Sequence, residues 1–407
     1  MKPLSNHASI MRNLTQQTLL VALLAILNFT SLAWAETVDL QHAASVGMDD
    51  KALERIPQLM QKYVDAGQAS GVVTLVARKG KVVLNAAVGE ADVDTHRKMQ
   101  PDTVFAIASM TKPITSTALM ILVDEGKVSI DDPVSKYVPE FKQSVLATGT
   151  PKREITLRDL LTHTSGLVGE QRNEGTIAET AAKFAARTLA FEAGSKWQYS
   201  PGLTIIGRVI EVASGESYDS FLAARIFQPL GMKETSFAPT PDQLKRLAKL
   251  YQPGKDGKGL APGAHWLVDF SGVRTPNPSG GLFSTANDLA RFYQMVLNEG
   301  ELDGVRIVSK KAVAEMTRPH TGDLVTGFTP GNAFGLGWCV IREPQGVTGM
   351  LSPGSFGHGG AFGTQGWLDP KRQMIFVLLI QRTGFSNSDG AEIRQVFQQA
   401  AVDAVKD

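Results

Sequence analysis

The spacing of apolar residues predicts the first elements of the chain. Apolar side chains recur every three or four residues between positions 53 and 64, which indicates one amphipathic helix. Two runs rich in β-branched residues follow, at 71–78 and 81–92, on either side of Lys79-Gly80. Because a glycine-containing dipeptide between two such runs favours a tight turn, this segment is predicted to form an antiparallel hairpin.

The rest of the chain divides into a helical middle and a mixed C-terminal part. Helical periodicity dominates from Thr111 to about Leu250, and a stretch dense in proline and glycine follows from Tyr251 to Gly281. Such a long irregular stretch is predicted to be a surface loop that borders a binding cleft. Beyond it, a helix is predicted near 284–297, strand-like runs between 334 and 382, and a final helix after these runs.

Strands therefore occur at both ends of the sequence and helices in the middle. We predict an α/β (α+β) fold, in which an antiparallel sheet built from both chain ends is flanked by helices and carries an inserted, mostly helical subdomain. The α/β subdomain is expected at about 45–108 and 280–407 and the helical one at about 109–279, within a single catalytic domain at 36–407. A cleft is expected between the two subdomains.

The first 35 residues have the layout of a secretory signal peptide. An apolar run from Leu19 to Phe29 is followed by small residues at Ala33 and Ala35, so cleavage is predicted after Ala35, with Met11 as the more natural start. A membrane anchor is the alternative, but the run is shorter than the roughly 20 residues that a span needs. We therefore predict a secreted or periplasmic protein with no membrane span after cleavage.

Charge, cysteine and histidine content exclude several functions. Lys and Arg number 41 against 40 for Asp and Glu, with no basic stripe among aromatic residues, so no nucleic-acid partner is expected. The single cysteine, Cys339, excludes a disulfide or thiolate cluster within one chain. The sequence has no H-E-x-x-H, Walker or dinucleotide motif, so neither metal nor cofactor is predicted, and His163 is expected to be a structural hydrogen-bonding residue. The expected partner is a small molecule or peptide.

The segment from Phe105 to Lys127 carries the first candidate chemistry. It begins like a buried strand and continues like an apolar helix, with Ser109 and Lys112 at the junction. The three-residue spacing puts hydroxyl and amine on one face of the first helical turn, and an amine kept neutral by burial can accept the proton of a serine nucleophile. About one S-x-x-K is expected by chance in a chain of this length. Its position at a strand-to-helix junction favours a catalytic pair.

Two further motifs extend this interpretation. Tyr199 precedes a stiff Ser-Pro-Gly turn, and a phenol near an ammonium group is a competent proton acceptor, although a lone tyrosine is otherwise an ordinary core residue. The run "FGHGGAFGT" at 356–364 is typical of a strand whose backbone approaches a ligand closely, with a tight bend as the alternative. If this strand lines the cleft, the N–H groups of Ser109 and Ala361 would form an oxyanion hole.

These motifs, in this order, resemble the serine β-lactamase and penicillin-binding protein superfamily. They are most similar to the class C β-lactamase-like group, which includes D-alanyl-D-alanine carboxypeptidases and family VIII carboxylesterases. "LLTHTSGL" at 160–167 and "GGLFSTANDLARF" at 280–292 are also similar to that group, and the resemblance covers about 52–405. The resemblance implies a β-lactamase/transpeptidase-like fold and a serine hydrolase that needs no cofactor.

The resemblance also implies roles for individual residues. Ser109 would be the acylated nucleophile, and Lys112 and Tyr199 would share the general acid/base work. The substrate would be bound by the segment that stands where lactamases have Lys-Thr-Gly, which here consists of His358, Gly359 and Gly360.

Two departures from the lactamase pattern bear on the substrate. The sequence Tyr199-Ser200-Pro201 lacks the asparagine of the usual Tyr-x-Asn, and His358 replaces a lysine that would pair with a substrate carboxylate. Because both changes weaken recognition of β-lactams and acyl-D-Ala peptides, we predict hydrolysis of small esters. A β-lactamase or D-alanyl-D-alanine carboxypeptidase is the alternative.

Two more distant interpretations are weaker. An α/β-hydrolase would need a G-x-S-x-G pentapeptide, which the sequence lacks. A catalytically silent binder of peptidoglycan fragments would have no chemical need for Ser109, Lys112 and Tyr199 together.

Overall fold

The structure is a computed structural model that describes residues 42–170, 172–173, 175–327, 329–385 and 388–406. The predicted signal peptide at 1–35 lies outside these ranges. Within them, every helix is too short or too polar to cross a bilayer.

An eight-stranded antiparallel sheet forms the centre of the fold. The strands of the described chain are β1 (Gly71–Arg78), β2 (Lys81–Asp92), β3 (Arg97–Lys98), β4 (Phe105–Ala106), β5 (Tyr251–Pro253), β6 (Leu260–Pro262), β7 (Phe283–Ser284), β8 (Glu301–Leu302), β9 (Val305–Arg306), β10 (Asn332–Phe334), β11 (Cys339–Ile341), β12 (Phe356–Gly359), β13 (Gln365–Asp369) and β14 (Met374–Leu379). The large sheet has the order β10-β11-β12-β13-β14-β1-β2-β3, and β4 pairs with β7, β5 with β6 and β8 with β9.

The pairing of β14 with β1 joins the two ends of the chain. Val73 lies opposite Leu379 and Arg78 opposite Met374, in antiparallel register. The predicted architecture, an antiparallel sheet made from both chain ends, is therefore confirmed. The exact subdomain boundaries stay a prediction.

The predicted hairpin is formed by β1 and β2. Lys79 and Gly80 have φ angles of 48° and 80°, and two left-handed residues in succession make the tight turn whose twist matches that of the strands. In β1, Leu75 contributes to the core on one face of the sheet and Val76 to the core on the other. Burial on both faces explains why this strand reads as a continuous apolar run rather than an alternating one.

Helices cover both faces of the sheet and form the middle of the chain. The α-helices are α1 (Asp50–Leu53), α2 (Arg55–Asp65), α3 (Thr111–Asp124), α4 (Leu157–Leu161), α5 (Ile177–Ala185), α6 (Gly202–Ser214), α7 (Tyr218–Leu222), α8 (Pro241–Arg246), α9 (Ala286–Leu297), α10 (Lys310–Thr317) and α11 (Glu392–Asp403). Side chains from α2 and α11 share one core cluster, whereas α3 and α9 contribute to the cluster on the opposite face.

The first helix of the sequence prediction is two helices in the structure. The chain breaks between α1 and α2, at Glu54. Pro57 explains the break, since proline has no N–H to donate to the carbonyl of Leu53 and its ring would collide with that carbonyl in a continuous helix. The expected inward face is retained, because Leu53, Ile56 and Met60 are all buried.

Candidate active site

Ser109 lies in a strained turn between a strand and a helix. The turn is a 3₁₀ segment, Ala108–Met110, that follows β4 and leads directly into α3, so Ser109 precedes the α-helix instead of occupying its first turn as predicted. Ala108 has a φ of 46°, a left-handed conformation that side chains rarely adopt. Thr111 fixes this turn, because its Oγ1 donates to the Ala108 carbonyl at 2.7 Å and accepts from the Leu282 N–H at 3.2 Å. Such strain is typical of functional sites.

Lys112 approaches Ser109 from the first turn of α3. Its Nζ lies 3.2 Å from Ser109 Oγ and donates to the Ser279 carbonyl at 2.7 Å. The side chain is completely buried, and this desolvation lowers the pKa of Lys112 well below the value of an ordinary lysine. The amine is therefore placed and tuned to take a proton from the serine hydroxyl.

Tyr199 also lies close to the Lys112 amine. Lys112 Nζ is 4.6 Å from the centre of the Tyr199 ring, and Tyr199 lines the same cavity as Ser109. Pro201 is the N-cap residue of α6, so the Ser-Pro-Gly turn holds the tyrosine just before a helix begins, as its sequence indicated. The structure thus brings the three predicted catalytic residues together, while their individual roles remain a prediction.

Two buried histidines pack around Tyr199. The centres of the His163 and His358 rings lie 4.5 Å and 6.0 Å from that of Tyr199. His163 Nδ1 accepts the Ser200 backbone N–H at 3.1 Å, which confirms the structural role expected of it. His358 Nδ1 lies 2.7 Å from the Gly359 carbonyl. Burial lowers the pKa of His163 and brings the pKa of His358 to about 4, so both rings are neutral at pH 7.

The glycine-rich motif contains both structures that its sequence left open, a strand and then a tight bend. Strands β12 and β13 are joined by a tight turn at 360–364, in which the Gly360 N–H donates to the Thr364 carbonyl at 2.7 Å. Thr364 Oγ1 in turn donates to the carbonyl of Ile107 at 3.1 Å, which ties this turn to the strand before Ser109. Ala361, at the tip, lines the cavity together with Ser109.

The predicted substrate-binding residues are placed less directly. His358, Gly359 and Gly360 are buried and are not among the described residues that line the cavity. From this motif, the residue that lines the cavity is Ala361. Substrate binding by these three residues, and the oxyanion hole formed by the N–H groups of Ser109 and Ala361, remain predictions.

The cavity in front of Ser109 has a volume of about 460 Å³. The loop predicted to border a cleft supplies much of its wall. The lining residues from this loop are His265, Trp266, Leu267, Asn277, Ser279 and Gly280. Sequence reasoning missed Ser279, because it acts on Lys112 through a backbone carbonyl that any residue would provide. The sequence predicted that this loop borders a cleft, but no motif in the loop indicated which of its residues line the cavity.

Known proteins are similar to this chain along most of its length. A sequence model of the Beta-lactamase family matches residues 56–401. The chain is 32% identical over 367 residues to Protein Rv1367c of Mycobacterium tuberculosis, covering 82% of this chain and 90% of that protein. It is 29% identical over 356 residues to Esterase EstB of Burkholderia gladioli, covering 79% of this chain and 88% of that one.

A solved structure also matches the fold. The structure described as "EstCE1, a hydrolase with promiscuous acyltransferase activity" aligns with a TM-score of 0.75 and 25% identity, covering 88% of this chain and 99% of that one. The resemblance inferred from the ordered motifs is thereby confirmed. Since the family match spans most of the sequence, the chain belongs to the Beta-lactamase family and is a serine hydrolase of the β-lactamase/transpeptidase-like fold.

Proposed function

We propose that this protein is an exported hydrolase of small esters that works through an acyl-enzyme on Ser109. The observation that carries the proposal is the contact of 3.2 Å between Ser109 Oγ and the fully buried amine of Lys112. A serine hydroxyl is a poor nucleophile without a base, and burial supplies that base by favouring the neutral amine.

In the proposed reaction, Ser109 Oγ attacks the carbonyl carbon of the ester, and its proton passes to Lys112, directly or through Tyr199. The N–H groups of Ser109 and Ala361 stabilise the negative charge that develops on the carbonyl oxygen. Collapse of this intermediate breaks the carbon–oxygen bond, and the departing alcohol takes up the proton. A water molecule then attacks the acyl-enzyme and gives its proton to the same base. The bond between the acyl carbon and Ser109 Oγ breaks, Oγ takes this proton back, and the acid is released.

The neighbourhood of Tyr199 supports esters over β-lactams as substrates. His358 stands where lactamases have a lysine, and because burial brings its pKa to about 4 it offers no permanent cation to a substrate carboxylate. Pro201 stands where those enzymes have an asparagine and caps α6 instead. EstB and EstCE1, named an esterase and a hydrolase, are similar along most of this chain.

The proposal is tested by mass spectrometry and turnover. The protein, without residues 1–35, is mixed in parallel with p-nitrophenyl butyrate and with a chromogenic cephalosporin, and the intact mass is followed together with product release. Fast ester cleavage with a butyryl adduct on Ser109 and slow cephalosporin opening are expected. Efficient cephalosporin turnover would make the protein a β-lactamase instead, and no adduct with either compound would contradict the proposal.

Substitution of the nucleophile completes the test. Ser109→Ala should abolish adduct formation and reduce turnover to background, by a factor of at least about 10³, without loss of folded structure. Ser195→Ala is the matched control, because Ser195 is an exposed serine that does not line the cavity, and its hydroxyl donates to the Glu192 carbonyl in its own turn. Retained turnover in Ser109→Ala would exclude Ser109 as the nucleophile.

Export is proposed from the sequence of residues 1–35. N-terminal sequencing of the protein recovered from the periplasm or medium should give Glu36 as the first residue. Recovery of the full-length chain from the cytoplasm alone would contradict export.

A further inference from the structure

One stretch of the long loop forms a wall that two cavities share. Trp266 and Leu267 line the cavity in front of Ser109 and also a second cavity of about 410 Å³. Asn277 lines both as well, so the two cavities are neighbours. Most side chains of the second cavity are polar, including Asp269, Ser271 and Thr275. A substrate group that extends beyond the first cavity therefore meets a hydrogen-bonding environment.

This wall has little regular structure of its own. Apart from a short 3₁₀ turn at Trp266–Val268, the chain between β6 and β7 forms neither helix nor strand. Two backbone carbonyls of the stretch at 267–269 are bound by the side chain of Arg274. The guanidinium donates from Nη2 to the Leu267 carbonyl at 2.9 Å and from Nη1 to the Asp269 carbonyl at 2.9 Å. The charge strengthens both hydrogen bonds relative to those of a neutral donor.

Arg274 also ties the wall to the catalytic elements. Its Nε donates to the Phe237 carbonyl at 3.3 Å, and the guanidinium lies 5.0 Å from the ring centre of Phe283. Phe283 belongs to β7 and pairs with Ala106 of β4, the strand that leads to Ser109. One half-buried side chain therefore connects the wall of both cavities to the strand pair beside the nucleophile.

We propose that Arg274 is the positioning residue for substrate specificity: it holds the shared wall so that the far end of an extended ester reaches the second cavity. The proposal rests on the ester hydrolysis proposed above. Arg274 lines the second cavity but not the first, so a short ester should not depend on it. An extended ester has to occupy both cavities at once. It should therefore bind less well when the wall loses its hydrogen bonds to Arg274 and can move.

The test compares short and extended esters in variants of Arg274. p-Nitrophenyl acetate is the short substrate, p-nitrophenyl 6-acetamidohexanoate is extended on the acyl side, and 6-acetamidohexyl acetate, followed by acid release, is extended on the alcohol side. Arg274→Ala should raise KM for one of the extended esters by about tenfold or more, while kcat/KM for p-nitrophenyl acetate changes by less than about twofold. Arg274→Lys should restore part of the loss, and added guanidinium at concentrations that leave the fold intact should partly rescue Arg274→Ala.

Arg306→Ala is the matched control. Arg306 also binds two backbone carbonyls, those of Glu299 and Val308 at 3.1 Å and 3.2 Å, but it lies on β9 and lines neither cavity. Its substitution should leave the ratio of extended to short ester hydrolysis unchanged. Equal effects of Arg274→Ala on all three esters, or no effect on any, would overturn the proposal. Failure of the ester proposal is distinguishable, because then the unaltered protein would cleave none of the esters.

Discussion

Burial removes the water that would stabilise a charge on Lys112. In the folded protein its amine contacts a serine hydroxyl and a backbone carbonyl. Its Nζ donates to the Ser279 carbonyl at 2.7 Å and lies 3.2 Å from Ser109 Oγ. Complete burial penalises the charged form, which is why the pKa of Lys112 falls well below its usual 10.5. Burial of the first turn of α3 therefore favours the neutral amine that the proposed mechanism requires.

The first prediction concerns the pH dependence of this base. Hydrolysis needs the neutral amine, so kcat/KM should rise with pH through the lowered pKa of Lys112 and reach its plateau well below pH 10.5. Lys112→Ala should reduce kcat by a factor of about 10²–10⁴ and remove this acidic limb. Lys112→Arg should be equally poor, because a guanidinium stays protonated. Rates measured from pH 5 to 10 check this, and an unchanged limb in Lys112→Ala would assign it to another group.

At this scale, the sequence reveals residues that act through distinctive side chains. Ser109, Lys112 and Tyr199 were found because a hydroxyl, an amine and a phenol stand next to recognisable turns, and the structure does bring them together. Ser279 and Arg274 were missed for opposite reasons. Ser279 contacts Lys112 through its backbone carbonyl, which any residue would provide. Arg274 binds three carbonyls that are distant in sequence or lie in an irregular loop, so its role has no local sequence signal.

Among the elements, the turn between β12 and β13 determines where Ala361 is held. A Cβ on Gly360 would lie 2.5 Å from the Ile107 carbonyl oxygen and would also collide with Thr364 Oγ1. Neither group is free to move, because the two are hydrogen-bonded to each other. The glycines of this motif therefore permit close approach of one backbone segment to another.

A second prediction follows for Gly360→Ala. The added Cβ should displace the turn and with it the Ala361 N–H, and kcat for ester hydrolysis should fall about 10- to 100-fold, less than complete loss of an oxyanion donor. Gly80→Ala is the control: it lies in the hairpin turn with open space around it, so it should lower stability by about 1 kcal/mol and leave kcat unchanged. Activity and urea unfolding are measured for both, and equal kcat in Gly360→Ala and the unaltered protein would place the oxyanion hole elsewhere.

Local sequence signals predict elements well where one residue determines the backbone. The Lys79-Gly80 turn is such a case, and the hairpin forms where it was expected. Pro57 gave an equally local signal, but the regular apolar spacing around it outweighed it and led to a single predicted helix. The glycine-rich motif was ambiguous, since glycine suits both a turn and a strand that packs closely, and only the pairing of β12 with β13 distinguishes them.

At the scale of the whole molecule, the sequence predicts the layers of the fold but not the wall of the site. The apolar runs near both ends of the chain are buried only if they join one sheet that helices cover. The pairing of β1 with β14 forms that sheet. The loop from 251 to 281 has no periodicity, so its path depends on single contacts such as those of Arg274. Those contacts join parts of the chain that are far apart in sequence, which a local pattern does not encode.

The same burial that shapes the site should make the stability of the whole molecule depend on pH. His358 has a pKa of about 4 in the fold, against about 6.5 in an unfolded chain. Between these values the unfolded chain binds a proton that the folded one excludes, so this residue should reduce stability by about 3 kcal/mol as pH falls from 6.5 to 4. The buried Asp288 has the opposite effect, because burial raises its pKa to about 6 and the folded state then binds the proton more tightly.

The contribution of His358 is therefore isolated by a difference measurement. The free energy of unfolding in urea is determined at pH 7, 6, 5 and 4.5 for the unaltered protein and for His358→Gln, which keeps a polar side chain but does not titrate. Asp288 and the remaining carboxylates are common to both proteins, so their effects cancel. The advantage of the histidine over glutamine should shrink steadily as pH falls below 6.5. A difference that stays constant with pH would show that His358 keeps an ordinary pKa in the folded protein and remains available to carry a charge toward the substrate.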